Sequence, residues 1–494
     1  MQNINLRTQN QSILLLPMVC LLAYLIIGFA VRGNSLLMFV MASLALIFLA
    51  GLHDNNYFYY SMILLMPFAR VQVPYFPLSL YLSLFLAFIG LGILIIKKRN
   101  FPKTQLNAPI AIYAAVMLIS IIRTYIFPSL EPPGILDPRF GVVASRHRGW
   151  YQLVTHLSML SVFYFTVWSS SNKVHFKKTI RLFLGVTIAT VIFGYYEFIA
   201  KMFQLPLITI STDSESIKYV SQAAFEFGGI RFPRVYSTFI EPSNYSNFLL
   251  IGLSISLSLV LYNMKKGIVS KKTILMLVCI LSGIILTFST AGWVCTFIIF
   301  FILTYIYGFR QLIPIVIVSC IGIWIFIFFM GQNNITKIGY DAYRLHFNKL
   351  IEFIFDENEA SYRTIGRKIF LNIFKQFPFL GVGLGNEVFY SGYYEYIIGC
   401  SNHYLTIIAE TGLIGFAAFV YLLSRVYSVL RRSAKSIHKN ISSEMYPYLY
   451  AFIAALTGTL VFHLYGYGRF FVHEWFLIGL CFCSYNIIHN KRVY

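Results

Sequence analysis

Long apolar runs recur along most of the 494-residue chain, and they constrain its fold more than any other feature of the sequence. About twenty apolar helical residues cross the hydrocarbon core of a bilayer. Backbone N–H and C=O groups inside that core need partners within the protein, which restricts spanning structures to helices and closed barrels. The runs therefore predict an all-α fold, a polytopic transmembrane helical bundle of about 12–14 spans.

The candidate spans follow from these runs. The first run is long and has no small-residue cleavage site behind it, so we interpret it as a retained span and not as a signal peptide. The third run is short and could re-enter the membrane from one side. The candidate spans are 13–31, 35–52, 57–70, 78–96, 109–127, 150–169, 177–200, 238–262, 273–289, 291–309, 311–330, 402–424, 446–464 and 470–488.

Basic clusters in the short connections indicate the orientation of the chain. With a cytoplasmic N-terminus, the densest clusters all fall on the cytoplasmic side, in agreement with the positive-inside rule. These clusters are 97–100, 172–178, 263–272, 425–440 and 489–494. Both termini are then cytoplasmic. The predicted organisation is N-terminal transmembrane helices (1–200), an outer loop (201–237), core transmembrane helices (238–330), a large outer loop (331–401) and C-terminal transmembrane helices (402–494).

The distribution of charge points to the outer segments as the place of function. The formal net charge is +21 although only 12% of the residues are charged. Cytoplasmic loops account for part of this charge, so no nucleic-acid partner is needed to explain it. The outer segments 128–149, 201–237 and 331–401 are also basic, which the positive-inside rule does not explain. The seven cysteines include no CxxC pair, so neither a disulfide framework nor a zinc ribbon is predicted.

Two arginines precede the eighth candidate span, in the stretch RFPRVYSTFIEPSNYSN. Arg231 and Arg234 could hold an anionic head group, because guanidinium groups bind phosphate and carboxylate bidentately. The alternative is interfacial snorkelling of long side chains. Glu241 and Asn244 lie in a polar cluster at the predicted start of the helix. An ionisable residue there is a functional candidate, although Glu241 before a proline could be only a cap.

The large outer loop contains a predicted amphipathic helix. Arg363 and Arg367 are four residues apart and therefore share a helical face, while apolar residues form another face. Such a helix would lie on the membrane surface or over a cavity, and Pro378 would end it.

A glycine-rich run, GVGLGN, follows this proline. Gly383 and Gly385 would let the backbone turn tightly or approach a ligand closely, and Asn386 follows them. The run matches neither a Walker loop nor a dinucleotide fingerprint, so we exclude nucleotide binding.

Histidines and acids cluster at two further outer boundaries. Asn402 and His403 begin a span, and Glu410 lies two helical turns beyond His403 on the same face. His403 is a candidate general base, whereas Asn402 as a helix cap is the simpler interpretation. The last outer hairpin carries side chains that could join the same cavity, namely His463, Arg469, His473 and Glu474. A zinc site is conceivable there, but no paired-ligand spacing appears, so no metal is predicted.

These stretches resemble the O-antigen ligase and polymerase superfamily of bacterial polysaccharide assembly. The resemblance covers about residues 180–425 and is carried mainly by FPFLGVGLGNEVFY and NHYLTIIAETGLIGF. Two departures are visible. The family often has Ser-Arg-Gly where this chain has Ser289-Thr290-Ala291-Gly292, and the family histidine usually precedes the asparagine, whereas His403 follows Asn402.

The resemblance implies a GT-C-like lipid-donor glycosyltransferase, inverting and metal-independent, without a cofactor. It would act at the periplasmic face of the bacterial inner membrane on an undecaprenyl-pyrophosphate-linked glycan. Arg231 and Arg234, with Arg363 or Arg367, would hold the pyrophosphate. Glu241, His403 or Glu410 would deprotonate or orient the acceptor hydroxyl. The further expected substrate-binding residues are Asn244, Gly383, Gly385, Asn386, Asn402 and Arg469.

Three activities are compatible with this pattern. A polymerase transfers glycan to a second lipid-linked repeat, and the FIEPSNYS stretch and tyrosine-rich outer loop favour it. A ligase transfers the glycan to lipid A-core or to a protein. A lipid-linked oligosaccharide flippase would instead predict inverted repeats with charged residues at mid-membrane, whereas the polar residues here gather at one face. Expected partners besides membrane lipid are a chain-length regulator and a flippase of the same pathway.

Overall fold

The structure is a computed structural model, and parts of the chain are described. The described residues are 54–68, 82–98, 101–102, 104–126, 135–137, 141–143, 145–206, 224–227, 230–239, 241–268, 270–308, 362–390, 400, 402–438, 443–465 and 471–489. The predicted spans 13–31, 35–52 and 311–330 lie outside these ranges, as does Arg469.

Helices dominate the described ranges, as predicted. They are α1 (Asn56–Leu65), α2 (Leu82–Lys98), α3 (Asn107–Ile126), α4 (Ser145–Ser169), α5 (Lys173–Met202), α6 (Pro242–Lys265), α7 (Lys271–Leu286), α8 (Thr290–Tyr307), α9 (Tyr362–Gln376), α10 (His403–His438), α11 (Tyr446–Tyr465) and α12 (Val472–Ile488). Within these ranges, six helices (α3, α5, α6, α8, α10 and α11) are long and apolar enough to cross a membrane. The protein is therefore a multi-pass helical membrane protein.

Helix α6 forms the centre of the bundle. It packs between α7, α8 and α11, and its residues Leu249, Leu250, Ile251 and Leu253 are each 0% exposed. A helix that is apolar on all sides is buried on all sides. By contrast, α3 leaves Ile119 exposed, as expected for a helix at the periphery that faces lipid.

Two short antiparallel hairpins accompany the helices, and the all-α prediction did not include them. Strand β1 (Ile135–Asp137) pairs with β2 (Gly141–Val143), and β3 (Ala224–Phe227) pairs with β4 (Ile230–Pro233). A Gly-Gly pair stands between the alternating apolar sequences of β3 and β4, and this pattern is a hairpin signal. The second hairpin places Arg231 on β4, opposite Glu226.

The predicted boundary between the spans 273–289 and 291–309 is confirmed. Helix α7 ends at Leu286 and α8 begins at Thr290. The turn between them includes Phe288 with φ +47°, and the Ser289 hydroxyl accepts a hydrogen bond from the Gly292 N–H at 3.2 Å. A side-chain cap of this kind satisfies one of the free N–H groups at a helix start.

Helix α10 is interrupted at Gly412, where φ is 68° and ψ is −172°. The ring centroids of His403 and Phe419 lie 5.7 Å apart, although sixteen residues along a straight helix would separate them by about 24 Å. The chain therefore folds back at Gly412. We call residues 403–411 the folded-back arm. The prediction of one uninterrupted span over 402–424 is wrong, because a glycine with positive φ reverses the chain inside it.

Contacts between distant segments define the two ends of the bundle. At one end, Glu444 bonds to Lys173 and Lys177, and Arg432 donates to Gln105. The predicted cytoplasmic clusters 172–178 and 425–440 thus share this end. The opposite end is where α5, α7 and α11 finish and α6, α8 and α12 begin. We call it the site end.

Candidate functional site

A fully buried carboxylate, Glu474, lies at the site end. It is 1% exposed, and its Oε2 accepts from the Phe471 N–H at 2.8 Å. Its Oε1 accepts from Asn247 Nδ2 at 2.6 Å and lies 2.9 Å from His463 Nε2. A buried carboxylate is tolerated only when it is paired and hydrogen-bonded. The ends of three helices, α6, α11 and α12, supply these partners.

His403 joins this group through the folded-back arm. Its ring centroid lies 4.4 Å from that of His463, and both side chains are buried. We call His403, His463, Glu474 and Asn247 the histidine–glutamate cluster. The predicted neighbourhood of His403 with the last outer hairpin is therefore present in the structure. Asn247 was not anticipated, although it lies in the polar start of the eighth predicted span.

His473 lies beside the cluster in an aromatic setting. Its ring stacks on Phe471 with centroids 5.4 Å apart and meets the edge of Phe248 at 5.7 Å. Its Nε2 is buried and has no hydrogen-bond partner among the described residues. In the described ranges, no three His, Cys, Asp or Glu side chains are arranged to hold a metal ion.

Glu410 stands at the other end of the folded-back arm, about 10 Å from His403 along the helix axis. Its backbone carbonyl accepts from the Gly383 N–H at 2.9 Å, and its Oε1 accepts from the Gly385 N–H at 2.8 Å. The side chain is 3% exposed. In this structure Glu410 therefore holds the glycine-rich run against the arm.

The glycine-rich run satisfies the backbone groups that the break in α10 leaves open. The Ala409 carbonyl accepts from the Val382 N–H at 2.8 Å, and the Leu413 N–H donates to the Pro378 carbonyl at 2.8 Å. A Cβ at Gly381 would lie 2.4 Å from the Glu410 carbonyl carbon. The predicted tight turning is present, since φ is +64° at Gly381, +99° at Gly383 and +80° at Gly385. The close approach at Gly381 is to protein backbone. This follows because interrupted helices need outside partners for their end groups.

Asn386 and Cys400 extend this packing. Asn386 is 2% exposed, and its Nδ2 donates to the Val382 carbonyl at 3.3 Å. Burial, together with the nearby carboxylates of Glu387 and Glu410, raises the pKa of the Cys400 thiol. Cys400 therefore stays protonated and behaves as a small core residue.

The arginine stretch reaches the site end from β4. Arg234 is half-buried, and its Nε donates to the Thr287 carbonyl at 3.4 Å. It has no carboxylate partner among the described residues. Glu241 is the exposed N-cap residue of α6 and accepts from the Ser243 hydroxyl at 2.9 Å, while Asn244 is half-buried. The side chain of Arg231 lies outside the described part.

The amphipathic helix is present as α9 and ends before Pro378, as predicted. Its buried residues Ile369 and Ile373 pack with Val382, Cys400 and Ala409, so α9 covers the folded-back arm. Arg367 is half-buried, and Arg363 lies at the start of α9 with a side chain outside the described part. At the start of the arm, Asn402 accepts from the Leu405 N–H at 2.9 Å, which is the cap geometry.

Sequence reasoning missed a buried ion pair on α5. Glu197 and Lys201 lie 2.6 Å apart, with side chains 3% and 6% exposed. The signal was available, since an acid and a base four residues apart near the end of an apolar run are functional candidates by default. Arg123 was also missed. It donates to the Gly381 carbonyl and lies over the Phe377 ring at 4.2 Å.

Comparison with known protein families gives a match for one segment of the chain. Residues 275–420 match the family model described as O-Antigen ligase. No curated protein matches the chain. The matched segment is shorter than the resemblance had suggested. It contains α7 from Leu275 onward, α8, α9, the glycine-rich run and the folded-back arm. Over this segment, the chain is similar to the O-antigen ligase family, and this match supports the resemblance to the O-antigen ligase and polymerase superfamily.

Proposed function

We propose that the protein polymerises undecaprenyl-pyrophosphate-linked oligosaccharide repeats into O-antigen, capsular or exopolysaccharide at the periplasmic face of the bacterial inner membrane. The family supports activity of the O-antigen ligase or polymerase type. One observation carries the proposal: the site end brings together Arg234, which has no carboxylate partner in the described ranges, and the buried histidine–glutamate cluster.

The donor pyrophosphate would bind the arginines. Arg234 already bonds to a carbonyl through Nε, which leaves its two terminal nitrogens for a phosphate oxygen pair. Arg231, Arg363 and Arg367 are the further candidates for the same anion. Positive charge fixed at this place stabilises the charge that develops on the leaving pyrophosphate, which is usually the largest catalytic term.

The acceptor hydroxyl requires a base in an inverting transfer. We assign this role to His403, whose neighbour His463 is held by Glu474. Glu241 is an exposed carboxylate at the site end, and we assign it the orientation of the acceptor. Glu410 contributes by holding the glycine-rich run and the folded-back arm together. The transfer would need neither a metal nor a cofactor.

Ligation is the second candidate function. The matched family model is described as O-Antigen ligase, and a ligase uses the same class of donor. The two activities differ in the acceptor, which would be a lipid-linked repeat for the polymerase and lipid A-core or a protein for the ligase.

A strain that lacks the gene tests both functions. Its lipopolysaccharide and released capsule are run on a polysaccharide gel, with plasmids that supply wild-type protein, R234A or the control K177M. Lys177 lies in an exposed pair at the opposite end of the bundle. We expect wild type and K177M to restore the full glycan ladder, and R234A to fail despite normal membrane levels.

The pattern of loss separates the candidates. A ladder that collapses to core plus one repeat indicates polymerisation. Loss of every band above bare core, with glycan accumulating on the undecaprenyl carrier, indicates ligation. A deletion strain with an unchanged ladder and capsule contradicts both.

A further inference from the structure

We propose that Glu197 and Lys201 on α5 form a positioning pair that sets the place of Arg234 at the donor site. The proposal rests on the proposed function and deepens it, because it names what holds the pyrophosphate-binding arginine. We assign neither residue a contact with the reacting groups, so both would act through Arg234.

Lys201 connects the pair to Arg234 directly. Its Nζ donates to the backbone carbonyl of Arg234 at 2.7 Å and lies 2.6 Å from Glu197 Oε1. The same ammonium lies 4.9 Å from the centre of the Tyr236 ring. One buried cation thus contacts the arginine's own backbone and the residue two positions later.

Glu197 holds the residues that follow. Its Oε2 accepts from the N–H groups of Tyr236 at 3.1 Å and of Ser237 at 2.6 Å. Both donors belong to a buried turn, since Tyr236 and Ser237 are 1% and 4% exposed. Buried backbone N–H groups at the end of a membrane bundle need partners, and a carboxylate supplies strong ones.

Hydrogen bonds to neighbouring helices also hold the turn that contains Tyr236 and Ser237. Ser237 has φ +52°, an unfavourable value for a residue with a side chain. Its hydroxyl and that of Tyr245 both donate to the Thr190 carbonyl, at 2.9 and 3.0 Å. The Val235 N–H donates to the Leu286 carbonyl at 3.3 Å. Strained backbone persists only where its surroundings determine it, and here α5, α6 and α7 do so.

Stability alone is a weak reason for such a pair. Buried ion pairs are often replaceable by apolar residues without loss of stability. An apolar pair, however, would accept no N–H from Tyr236 or Ser237 and would donate nothing to the Arg234 carbonyl. The ion pair therefore fixes the backbone conformation from Arg234 to Ser237. This in turn fixes the position from which the Arg234 side chain extends.

Binding of undecaprenyl pyrophosphate to the full-length protein in nanodiscs tests this role. K201M leaves the N–H partners of Glu197 in place but removes its cation, and losing one partner of a buried pair costs stability. The melting temperature checks that the variant is folded, and we expect the folded variant to bind the probe about tenfold more weakly, as displaced binding groups do. K201R keeps the cation and should bind like wild type. K177M, which removes a half-buried cation at the opposite end of the same helix, should also bind like wild type.

A double-mutant cycle separates positioning from general damage. If Lys201 acts through Arg234, the variant K201M/R234A binds no more weakly than R234A alone, because the two losses share one cause. The proposal is overturned if the losses of affinity in K201M and R234A multiply in the double variant. It is also overturned if K201M binds the probe like wild type.

Hydrogen–deuterium exchange without ligand tests the positioning pair independently of the proposed function. If R234A binds the probe like wild type, the assignment of Arg234 to the donor is wrong, and the proposed function loses its donor site. The exchange rates of the Tyr236 and Ser237 amides then still test whether Glu197 and Lys201 hold this part of the backbone in place. We expect faster exchange in K201M than in wild type or K177M, and equal exchange in all three would overturn the pair's positioning role.

Discussion

At the scale of single residues, Glu474 shows how one buried charge organises a site. Its two oxygens receive contacts from Phe471 at the start of its own helix, from His463 on the preceding helix, and from Asn247, which is 227 residues away in sequence. Removing the charge of a buried, fully bonded carboxylate leaves its donors without an ionic acceptor. The residue therefore matters both to the ends of α6, α11 and α12 and to the histidine next to it.

We expect E474Q to lower the free energy of unfolding by about 2 kcal/mol, because a glutamine amide cannot accept from all three donors. Glycan transfer should fall with it, since His463 and then His403 lose their support. Thermal unfolding of the purified protein and the polysaccharide gel measure the two effects. Wild-type values of both would contradict the assigned role of Glu474.

E444Q is the matched control at the opposite end. Hydrogen bonds from Lys173 and Lys177 lower the pKa of the Glu444 carboxyl from 4.5 to about 2. The stabilisation from a lowered acid pKa is present above pH 4.5 and is lost as the pH falls toward 2. Because Glu444 is exposed, salt and water screen this contribution. We expect E444Q to leave the glycan ladder and the melting temperature at neutral pH unchanged.

At the scale of elements, the folded-back arm and the glycine-rich run form one unit. The run bonds to the arm through Val382 and Gly383. Pro378 and Phe379, which lie just before the run, accept from the part of α10 that follows the arm. The carbonyl groups at the end of the arm and the N–H groups of the run satisfy each other. The glycine-rich motif and the motif that begins at Asn402 are separated by seventeen positions, counted from Gly385 to Asn402. Their occurrence together in the sequence is thus explained by their contact in the structure.

G412A should open this unit, because φ at Gly412 is +68° and a Cβ there would lie 2.0 Å from the Phe379 carbonyl oxygen. We expect faster reaction of the Cys400 thiol, which packs against Ala409 in the closed unit, with a soluble maleimide.

G185A is the control, since a Cβ at this helical glycine meets nothing within 4 Å. It should leave the labelling rate unchanged and stabilise α5 by up to about 1 kcal/mol. Equal labelling of Cys400 in G412A and G185A would show that the arm does not depend on the reversal at Gly412.

At the scale of the whole molecule, the two ends of the bundle carry different chemistry. The predicted cytoplasmic clusters meet at one end, and the histidine–glutamate cluster lies at the other. The positive-inside rule then predicts that the site end faces outward.

Cysteine labelling of intact cells tests this orientation with two matched positions. Phe379 at the site end is 66% exposed and Ile268 at the opposite end is 56% exposed. We expect a membrane-impermeant maleimide to label F379C in intact cells and I268C only after lysis, each compared with wild type. The reverse pattern would invert the chain and place the site in the cytoplasm.

Much of the helical framework was predictable because hydrophobic length is a local property. The predicted spans 238–262 and 446–464 correspond to Pro242–Lys265 and Tyr446–Tyr465. The reversal at Gly412 was not predictable in this way, because a glycine inside an apolar run looks the same in a straight helix and in a fold-back. The hairpin of β3 and β4 was missed although its Gly-Gly signal was present.

For the site, the sequence by itself determined the candidate charges and the membrane-spanning character of the chain. Apolar length and the cost of isolated charge in a bilayer depend only on the local composition. Only the tertiary structure decided the partners: Glu474 with Asn247 and His463, Lys201 with the Arg234 carbonyl, and Glu410 with Gly385. These choices depend on which helix ends meet, and hydrogen bonds of a few ångströms form only after the packing of apolar faces has brought the helix ends together.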